Sequence, residues 1–411
     1  MEVWYHICMK VLKIERRILD FVLSHWRFLF AIVAFICGLV LRYLCLRYES
    51  GDYRDYLLHW FDDIEANGGL KALANIPGDY NAPYVTIMAI LTYIPIRYLY
   101  TVKAVSMAFD VALCIAAALI AYEVTKKHRK EKAVLTFLAV WLSPLVILNS
   151  AAWGQCDAIY GRFCLFSIYF LLRKKHVLAF LLLGAAFAFK LQTIFILPIF
   201  FLIWLKKHRY SLLNFLFVPL MDFVLCIPAI LCGMPISRMI TVYTMQMSEH
   251  NIAMTLNYPN VWGFLAAGTN YKGYLPEGMI ISILSKVGII LTFVILLALA
   301  AYVLAKKVKF STKNILRLVL VFAFTMTMFL PKMHERYGFV AEVLALVYFI
   351  AIERDKMLLV YVLAFPLLTY CRYLFSTNSS FVLECLAAVI VYVIVNRRLL
   401  RATVSDSNKK R

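Results

Sequence analysis

Apolar runs of about 20 residues recur along this chain, and short basic blocks separate them. Each run is long enough to cross a bilayer as a helix, because a helix rises about 1.5 Å per residue and the hydrocarbon core is about 30 Å thick. Apolar residues make up 63% of the sequence. No repeat, flexible linker or separate soluble domain is evident. The sequence therefore predicts an all-α polytopic membrane protein with a single integral domain over residues 1–411.

The distribution of charge predicts the orientation. The formal net charge is +20, but the basic residues lie in short blocks between apolar runs and in a tail. The blocks occupy residues 126–132, 173–175, 206–209, 306–313 and 397–401, with the tail at 409–411. Basic loops of this kind face the cytoplasm. We therefore expect both termini to be cytoplasmic, anionic inner-leaflet lipids to be partners, and no nucleic acid to be bound.

The alternation of apolar runs and basic blocks predicts twelve spans in a helical bundle. The spans are 27–46, 100–124, 133–150, 157–172, 177–190, 191–205, 212–232, 283–305, 314–330, 338–352, 357–373 and 380–396. Residues 177–205 could instead form one long tilted helix, although one flanking basic loop would then change sides. The remaining segments are a cytoplasmic surface helix (1–26), two long outer loops (47–99 and 233–282) and a cytoplasmic basic tail (397–411).

The first outer loop contains two predicted helices. Residues 83–97 are apolar, but a crossing there would place the basic block at 126–132 outside, so we expect a re-entrant or interfacial helix. Before it, an amphipathic helix should end at Gly68 and Gly69 and lie at the outer surface. Its apolar face consists of Leu57, Leu58, Phe61 and Ile64. Its acidic face consists of Asp62, Asp63 and Glu65.

Four clusters of polar and ionisable residues interrupt the apolar pattern, at 51–55, 153–157, 190–192 and 331–337. An ionisable side chain at membrane depth costs about 3 kcal/mol on insertion scales, so it persists where it is paired, hydrated or functional. The predicted topology places all four clusters on the outer side. They indicate a polar chamber that opens outwards, as in an enzyme or a transporter.

Asp52 is the candidate catalytic residue. It follows the first span by a few residues, where a carboxylate at the rim of a lipid-accessible cavity suits a general base. An ordinary loop acid is the alternative. Arg54 and Asp55 belong to the same loop and are candidate substrate contacts.

The next two clusters supply further candidate substrate contacts. Gln155 and Asp157 lie in a predicted tight turn after Trp153, where they could hold sugar hydroxyls or only cap the turn. Lys190 and Gln192 interrupt an apolar run. A buried lysine requires a counter-ion, either a protein carboxylate or a phosphate, unless it extends to the outer headgroups.

His334, Glu335 and Arg336 place three ionisable groups at the outer end of one span. His334 and Arg336 could bind a phosphate with Glu335 orienting one of them, or Glu335 and Arg336 could pair with each other. Asn260, in the second outer loop, is a weaker candidate. The histidines, carboxylates and ten cysteines show no metal-ligand spacing, so we expect neither a metal nor another cofactor.

The ordered motifs resemble those of bacterial relatives of the GPI-anchor mannosyltransferases, which belong to the GT-C class of membrane glycosyltransferases. The resemblance covers about residues 47–353. Its motifs are GDYRDY (51–56), WF (60–61), GG (68–69), GDYNAPY (78–84), WGQCD (153–157), FKLQ (189–192) and PKMHERY (331–337).

The resemblance implies a GT-C fold with an extracytoplasmic active site, in the plasma membrane of a bacterium. It implies inverting transfer of a hexose, such as mannose, from a polyprenyl-phosphate donor to a glycan or lipid-linked acceptor. By position, Asp52 would be the base, with Asp55 as its stand-in. Lys190 and Arg336, helped by His334, would contact the donor phosphate, and Asp79 the acceptor.

The main alternative is a multi-span transporter or flippase for a lipid-linked sugar or a polar solute. It would use the same outer chamber, but its polar residues should continue to the cytoplasmic side and its halves should show repeat symmetry. Neither feature is evident in the sequence. A non-catalytic scaffold would leave the outer acids unexplained.

Overall fold

The computed structural model describes residues 2–249, 253–266 and 278–408. Within them the fold is all-α, as predicted, and the α-helices are numbered here in chain order. They are α1 Glu2–Cys45, α2 Leu58–Ala66, α3 Ala82–Leu91, α4 Tyr98–Val124, α5 Arg129–Trp141, α6 Pro144–Ile147, α7 Asp157–Leu172, α8 His176–Phe189, α9 Leu197–Lys207, α10 Phe217–Leu231, α11 Arg238–Glu249, α12 Gly278–Ala305, α13 Thr312–Phe329, α14 Phe339–Ala351, α15 Lys356–Phe375 and α16 Phe381–Asn408.

Shorter elements connect these helices. Two π-helical turns, Tyr53–Leu57 and Leu148–Trp153, and four 3-10 turns, Gly69–Asn75, Leu191–Ile196, Leu212–Leu216 and Val261–Ala266, lie among the described residues. Two short parallel strands, β1 (Thr255–Leu256) and β2 (Met333–His334), join the second outer loop to the 331–337 cluster.

Several helices meet the requirements of a membrane span. Among the described residues, six are long and apolar enough to cross, and the bent pair Arg129–Trp141 and Pro144–Trp153 makes a seventh. All seven coincide with predicted spans. The other predicted spans are also helical, but several are shorter than a full crossing, so the count of twelve stays a prediction. The 177–205 region is two helices separated at Lys190 and not one long helix.

The ends of the chain differ from their predicted division. α1 runs without a break from Glu2 to Cys45, so the predicted surface helix (1–26) and first span (27–46) form one helix. The placement of its first part on the inner surface stays a prediction. α16 extends to Asn408, so most of the predicted basic tail is helical. Residues 409–411 of the tail, and residues 250–252 and 267–277 of the second outer loop, lie outside the described residues.

The bundle is centred on α13. In its spanning window 83% of the residues are buried, against 17% for the spanning windows of α1, α10 and α12. A helix that is apolar on all sides is buried among other helices, whereas a helix with an exposed apolar surface faces lipid. We therefore place α13 in the core, packed against α14 and α16, and the other three helices at the lipid boundary.

The first outer loop has the predicted amphipathic and short apolar helices. Phe61 and Ile64 of α2 are buried, while the acidic residues on its opposite face are exposed. α2 ends before Gly68 and Gly69, which have φ values of +82° and +66° that favour glycine. The apolar helix α3 has 10 residues, which corresponds to about 15 Å and is too short to cross. This length agrees with the prediction that residues 83–97 do not cross.

Two acids inside long apolar helices accept hydrogen bonds from other elements. Asp110 of α4 accepts a hydrogen bond of 2.9 Å from Nε of the buried Arg42 of α1. Asp222 of α10 accepts a 2.9 Å bond from the Asn81 amide, which caps α3. The first pair joins α1 to α4, and the second joins α10 to the start of α3.

Candidate active site

The position of Asp52 is fixed by the way α1 ends. The Lys103 ammonium donates to the backbone carbonyls of Cys45, Leu46 and Tyr48, at 3.0, 3.1 and 2.6 Å. The last carbonyls of a helix have no partner within the helix, and a cation is favourable at that end. Lys103 thus secures the segment that carries Asp52.

A second contact joins this segment to the turn after the bent α5–α6 pair. The Ser50 hydroxyl donates to the Trp153 carbonyl at 2.8 Å. Gly154, with φ of +77°, ends the π-helical turn, and the Gln155 N–H then donates to the Asn149 carbonyl at 3.0 Å. The predicted turn is therefore present and lies beside Asp52.

The Asp52 carboxylate has four partners from three parts of the chain. Oδ2 accepts hydrogen bonds from Trp153 Nε1 at 3.0 Å and Gln155 Nε2 at 2.6 Å, and it lies 3.4 Å from Arg336 Nη1. Oδ1 accepts a hydrogen bond from the Tyr373 hydroxyl of α15. The Asp52 side chain is 17% exposed, so it is ordered by its neighbours but still reachable.

Arg336 contacts two carboxylates at once. Its Nη1 atom is 3.4 Å from Glu335 Oε1 as well as from Asp52 Oδ2. Its Nε atom is buried and has no hydrogen-bond partner among the described residues. Its guanidinium carbon lies 5.2 Å from the centre of the Trp153 ring. The predicted Glu335–Arg336 pair is present, and Asp52 joins it.

Glu335 is buried beside the strand pair. Its N–H donates to the Leu256 carbonyl at 3.1 Å, directly after β2. The side chain is 2% exposed. Burial raises the pKa of Glu335 to about 7, because it disfavours the charged carboxylate more than Arg336 favours it. His334 is partly buried, and its ring centre lies 4.9 Å from that of Tyr337.

Lys190 is buried and forms an ion pair with Asp157. The other Asp157 oxygen accepts a 2.8 Å hydrogen bond from the Asn149 amide. The Lys190 ammonium also lies 5.5 Å from the Tyr160 ring centre and 5.8 Å from that of Tyr337. Of the two predicted counter-ions, the structure contains the protein carboxylate. Gln155 and Asp157, predicted together at the turn, therefore have different partners.

The remaining candidates differ in their exposure. Arg54 and Asp55 are exposed in the π-helical turn after Asp52. The Asp79 side chain is partly exposed, and its carbonyl accepts a 2.6 Å bond from the Gln246 amide. Gln192 is half-buried, and its Oε1 has no hydrogen-bond partner in the described part of the chain.

Asn260 has a structural set of partners. It is fully buried, and its amide donates to the carbonyls of Leu330 at 3.1 Å and Thr327 at 3.4 Å. The structure thus brings Asp52, Gln155, Glu335 and Arg336 into one cluster, whereas Asn260 holds the end of α13.

Sequence reasoning missed two members of the site. Tyr373 was assigned only to an apolar span, and Lys103 lies within another span. The nearest sequence signal for Tyr373 was the adjacent Arg372, a charge in an apolar run.

The described residues contain no group of three or more histidine, cysteine or acidic side chains placed to hold a metal ion, and the expectation that no metal is used stays a prediction.

In chemical terms, the cluster combines a carboxylate that can take a proton with a guanidinium that can offset negative charge.

The family model of glycosyltransferase family 87 matches residues 80–331, which is more than half of the chain. The matched region contains Gln155, Asp157 and Lys190, whereas Asp52 and Arg336 lie on either side of it. A search of curated proteins found no match.

Proposed function

The chain belongs to glycosyltransferase family 87, and we propose that it transfers a hexose, with mannose the first candidate, from a polyprenyl-phosphate donor to an acceptor outside the cytoplasm. The acceptor would be a glycan or a lipid-linked sugar. The observation that carries this proposal is the contact between Asp52 and Arg336, just beyond the end of α1. A membrane-anchored donor and an external acceptor can meet there.

On the acceptor side, Asp52 would act as the general base. As the acceptor hydroxyl forms a bond to the anomeric carbon, its proton passes to the Asp52 carboxylate. The bond from the anomeric carbon to the phosphate oxygen breaks, and its electron pair leaves with the polyprenyl phosphate. Attack from the face opposite the leaving group inverts the anomeric configuration. A positioned base of this kind contributes about 100- to 10,000-fold in rate.

On the donor side, Arg336 would bind the phosphate. Its guanidinium is planar, permanently charged and suited to two-point recognition of phosphate oxygens. Its Nε atom has no hydrogen-bond partner among the described residues, and this together with its partial burial favours a strong interaction with an incoming anion. Lys190 would contact the phosphate only after exchanging Asp157 for it, because the two now form an ion pair. Phosphate leaves readily, so no second carboxylate is needed as an acid.

The proposed setting is a bacterial plasma membrane, with the site outside and both termini inside. Support comes from the exposed basic segment around Lys130, which would face anionic inner-leaflet lipids. Replacing Lys130 by cysteine tests the orientation. We expect an impermeant thiol reagent to label it in inverted vesicles and not in intact cells. Labelling from outside would contradict the topology.

The function is tested by transfer in proteoliposomes. Purified protein would be given polyprenyl phosphates that carry radiolabelled mannose, glucose or galactose, with cell-envelope lipids and glycans from cells that lack the gene as acceptors. We expect label to enter an acceptor, with one free polyprenyl phosphate per sugar and inversion at the new bond. Movement of intact donor across the bilayer without a new glycosidic bond would indicate the transporter, and use of nucleotide sugars alone would contradict the donor class.

A further inference from the structure

The two oxygens of the Asp52 carboxylate are in unequal environments. Oδ2 faces Trp153, Gln155 and Arg336. Oδ1 accepts only the Tyr373 hydroxyl among the described residues. An ionised carboxylate has about four lone-pair sites, two on each oxygen. Oδ2 is therefore fully used, while Oδ1 keeps one site for a further donor.

The Tyr373 ring is itself held in place. It stacks on the Trp153 indole with ring centres 4.5 Å apart and planes 18° apart. Its hydroxyl also lies against the backbone of Gly51, where an added Cβ would approach the hydroxyl oxygen to 3.3 Å. Tyr373 thus packs against Trp153, whose indole N–H donates to Asp52.

We propose that Tyr373 is a positioning residue, whose hydroxyl fixes the rotation of the Asp52 carboxylate so that the remaining lone pair of Oδ1 receives the acceptor proton. The proposal rests on the proposed function, in which Asp52 is the base. Without this bond, the carboxylate could rotate about its Cβ–Cγ bond, and the unused lone pair would change direction. The bond from Tyr373 fixes the plane of the carboxylate and so fixes the direction of the remaining lone pair of Oδ1.

The charged and titratable groups around Asp52 come from three elements. Arg336 and Glu335 face it from the loop after β2, and Tyr373 faces it from α15. Asp55 lies in the π-helical turn that follows Asp52, near Gly51. Removing the Tyr373 hydroxyl leaves the other groups in place. It removes a donor that favours the ionised carboxylate, so Asp52 should then bind a proton at higher pH.

The first readout does not require turnover. A hydrophobic carbodiimide reacts with protonated carboxyl groups, and mass spectrometry locates the label at Asp52. We expect Tyr373→Phe to raise the pH of half-labelling at Asp52 by roughly one unit, since a hydrogen bond to a charged group is worth about a tenfold change in equilibrium or more. Tyr361→Phe removes a hydroxyl from the same helix away from Asp52 and should leave this midpoint unchanged.

The second readout is transfer. Tyr373→Phe should lower kcat about tenfold or more, leave KM for the donor unchanged, and move the acidic limb of the pH–rate profile upwards. Gly51→Ala crowds the hydroxyl without removing it, so it should change the midpoint and kcat in the same direction by less. Gly51→Ala also tests the role of the Tyr373 hydroxyl if Tyr373→Phe fails to fold.

The outcomes distinguish the positioning role of Tyr373 from the proposed function. An unchanged labelling midpoint in Tyr373→Phe, or the same shift in Tyr361→Phe, would overturn the role of Tyr373. A raised midpoint in a protein whose wild-type form transfers no sugar would support the position of Tyr373 and reject the proposed function.

Discussion

Arg336 and Asp52 are in contact, with Nη1 of the arginine 3.4 Å from Oδ2 of the carboxylate. In the proposed reaction one of these groups serves the donor phosphate and the other the acceptor hydroxyl. Their contact places the two halves of the reaction within a few ångströms of each other. It also implies that a donor phosphate binds beside Asp52 by sharing or replacing that carboxylate as the partner of Arg336.

We expect Arg336→Met to weaken binding of the polyprenyl-phosphate donor about tenfold or more, because a hydrogen bond to a charged group is lost. Arg336→Lys should recover only part, since an ammonium lacks the planar fork of the guanidinium. Binding would be measured on folded protein in nanodiscs with a fluorescent donor. Arg97→Gln, which changes an exposed cation away from Asp52, is the matched control. Equal donor affinity in Arg336→Met and Arg97→Gln would remove Arg336 from the donor site.

The Lys190–Asp157 pair should contribute to stability through its pairing. Lys190→Met leaves a fully buried carboxylate without its cation, which typically costs about 3–5 kcal/mol. The double variant Lys190→Met/Asp157→Asn should regain much of that loss. Unfolding of the four proteins in detergent gives the interaction energy as a double-mutant cycle. If the double variant loses the sum of the two single losses, the pair does not interact as described.

Glu335 should make stability depend on pH. Its ordinary pKa is 4.5 and burial raises it to about 7. The folded state therefore binds more protons between these values, and the stability from this group is greatest below pH 4.5 and lost as the pH rises through 7. Glu335→Gln should thus raise the melting temperature at pH 8 by about 2–4 °C, with a gain that shrinks towards pH 4.5. Arg336 keeps Asp52 as a partner in this variant. A gain that grows as the pH falls would contradict the assignment.

The sequence predicted the helices well because basic blocks and apolar runs are local signals. It also predicted that Lys190 needs a counter-ion unless it extends to the outer headgroups, since an unpaired cation within an apolar run is costly. It left open which counter-ion, because the choice of Asp157 follows from the packing of α7 against the end of α8.

The contacts of Asp52 could not be predicted from the local sequence pattern. Tyr373 lies 321 positions along the chain from Asp52, and the charge of the adjacent Arg372 does not indicate which residue the tyrosine contacts. Asn260 is the opposite case, since a polar residue in a long loop is a candidate substrate contact by sequence, whereas in the structure its amide donates to backbone carbonyls. In both cases the partner depends on tertiary packing, which sequence spacing does not encode.

The central claim is that Asp52 is the base, and Asp52→Asn tests it most directly. The asparagine keeps the size and much of the hydrogen bonding but cannot take the proton. Asp55→Asn is the matched control, because Asp55 is an exposed acid three residues after Asp52. Transfer would be measured in proteoliposomes with equal amounts of folded protein. We expect Asp52→Asn to lower the rate about 100- to 10,000-fold and Asp55→Asn to be much milder. Near-normal transfer by Asp52→Asn, or loss of transfer only in Asp55→Asn, would contradict the account.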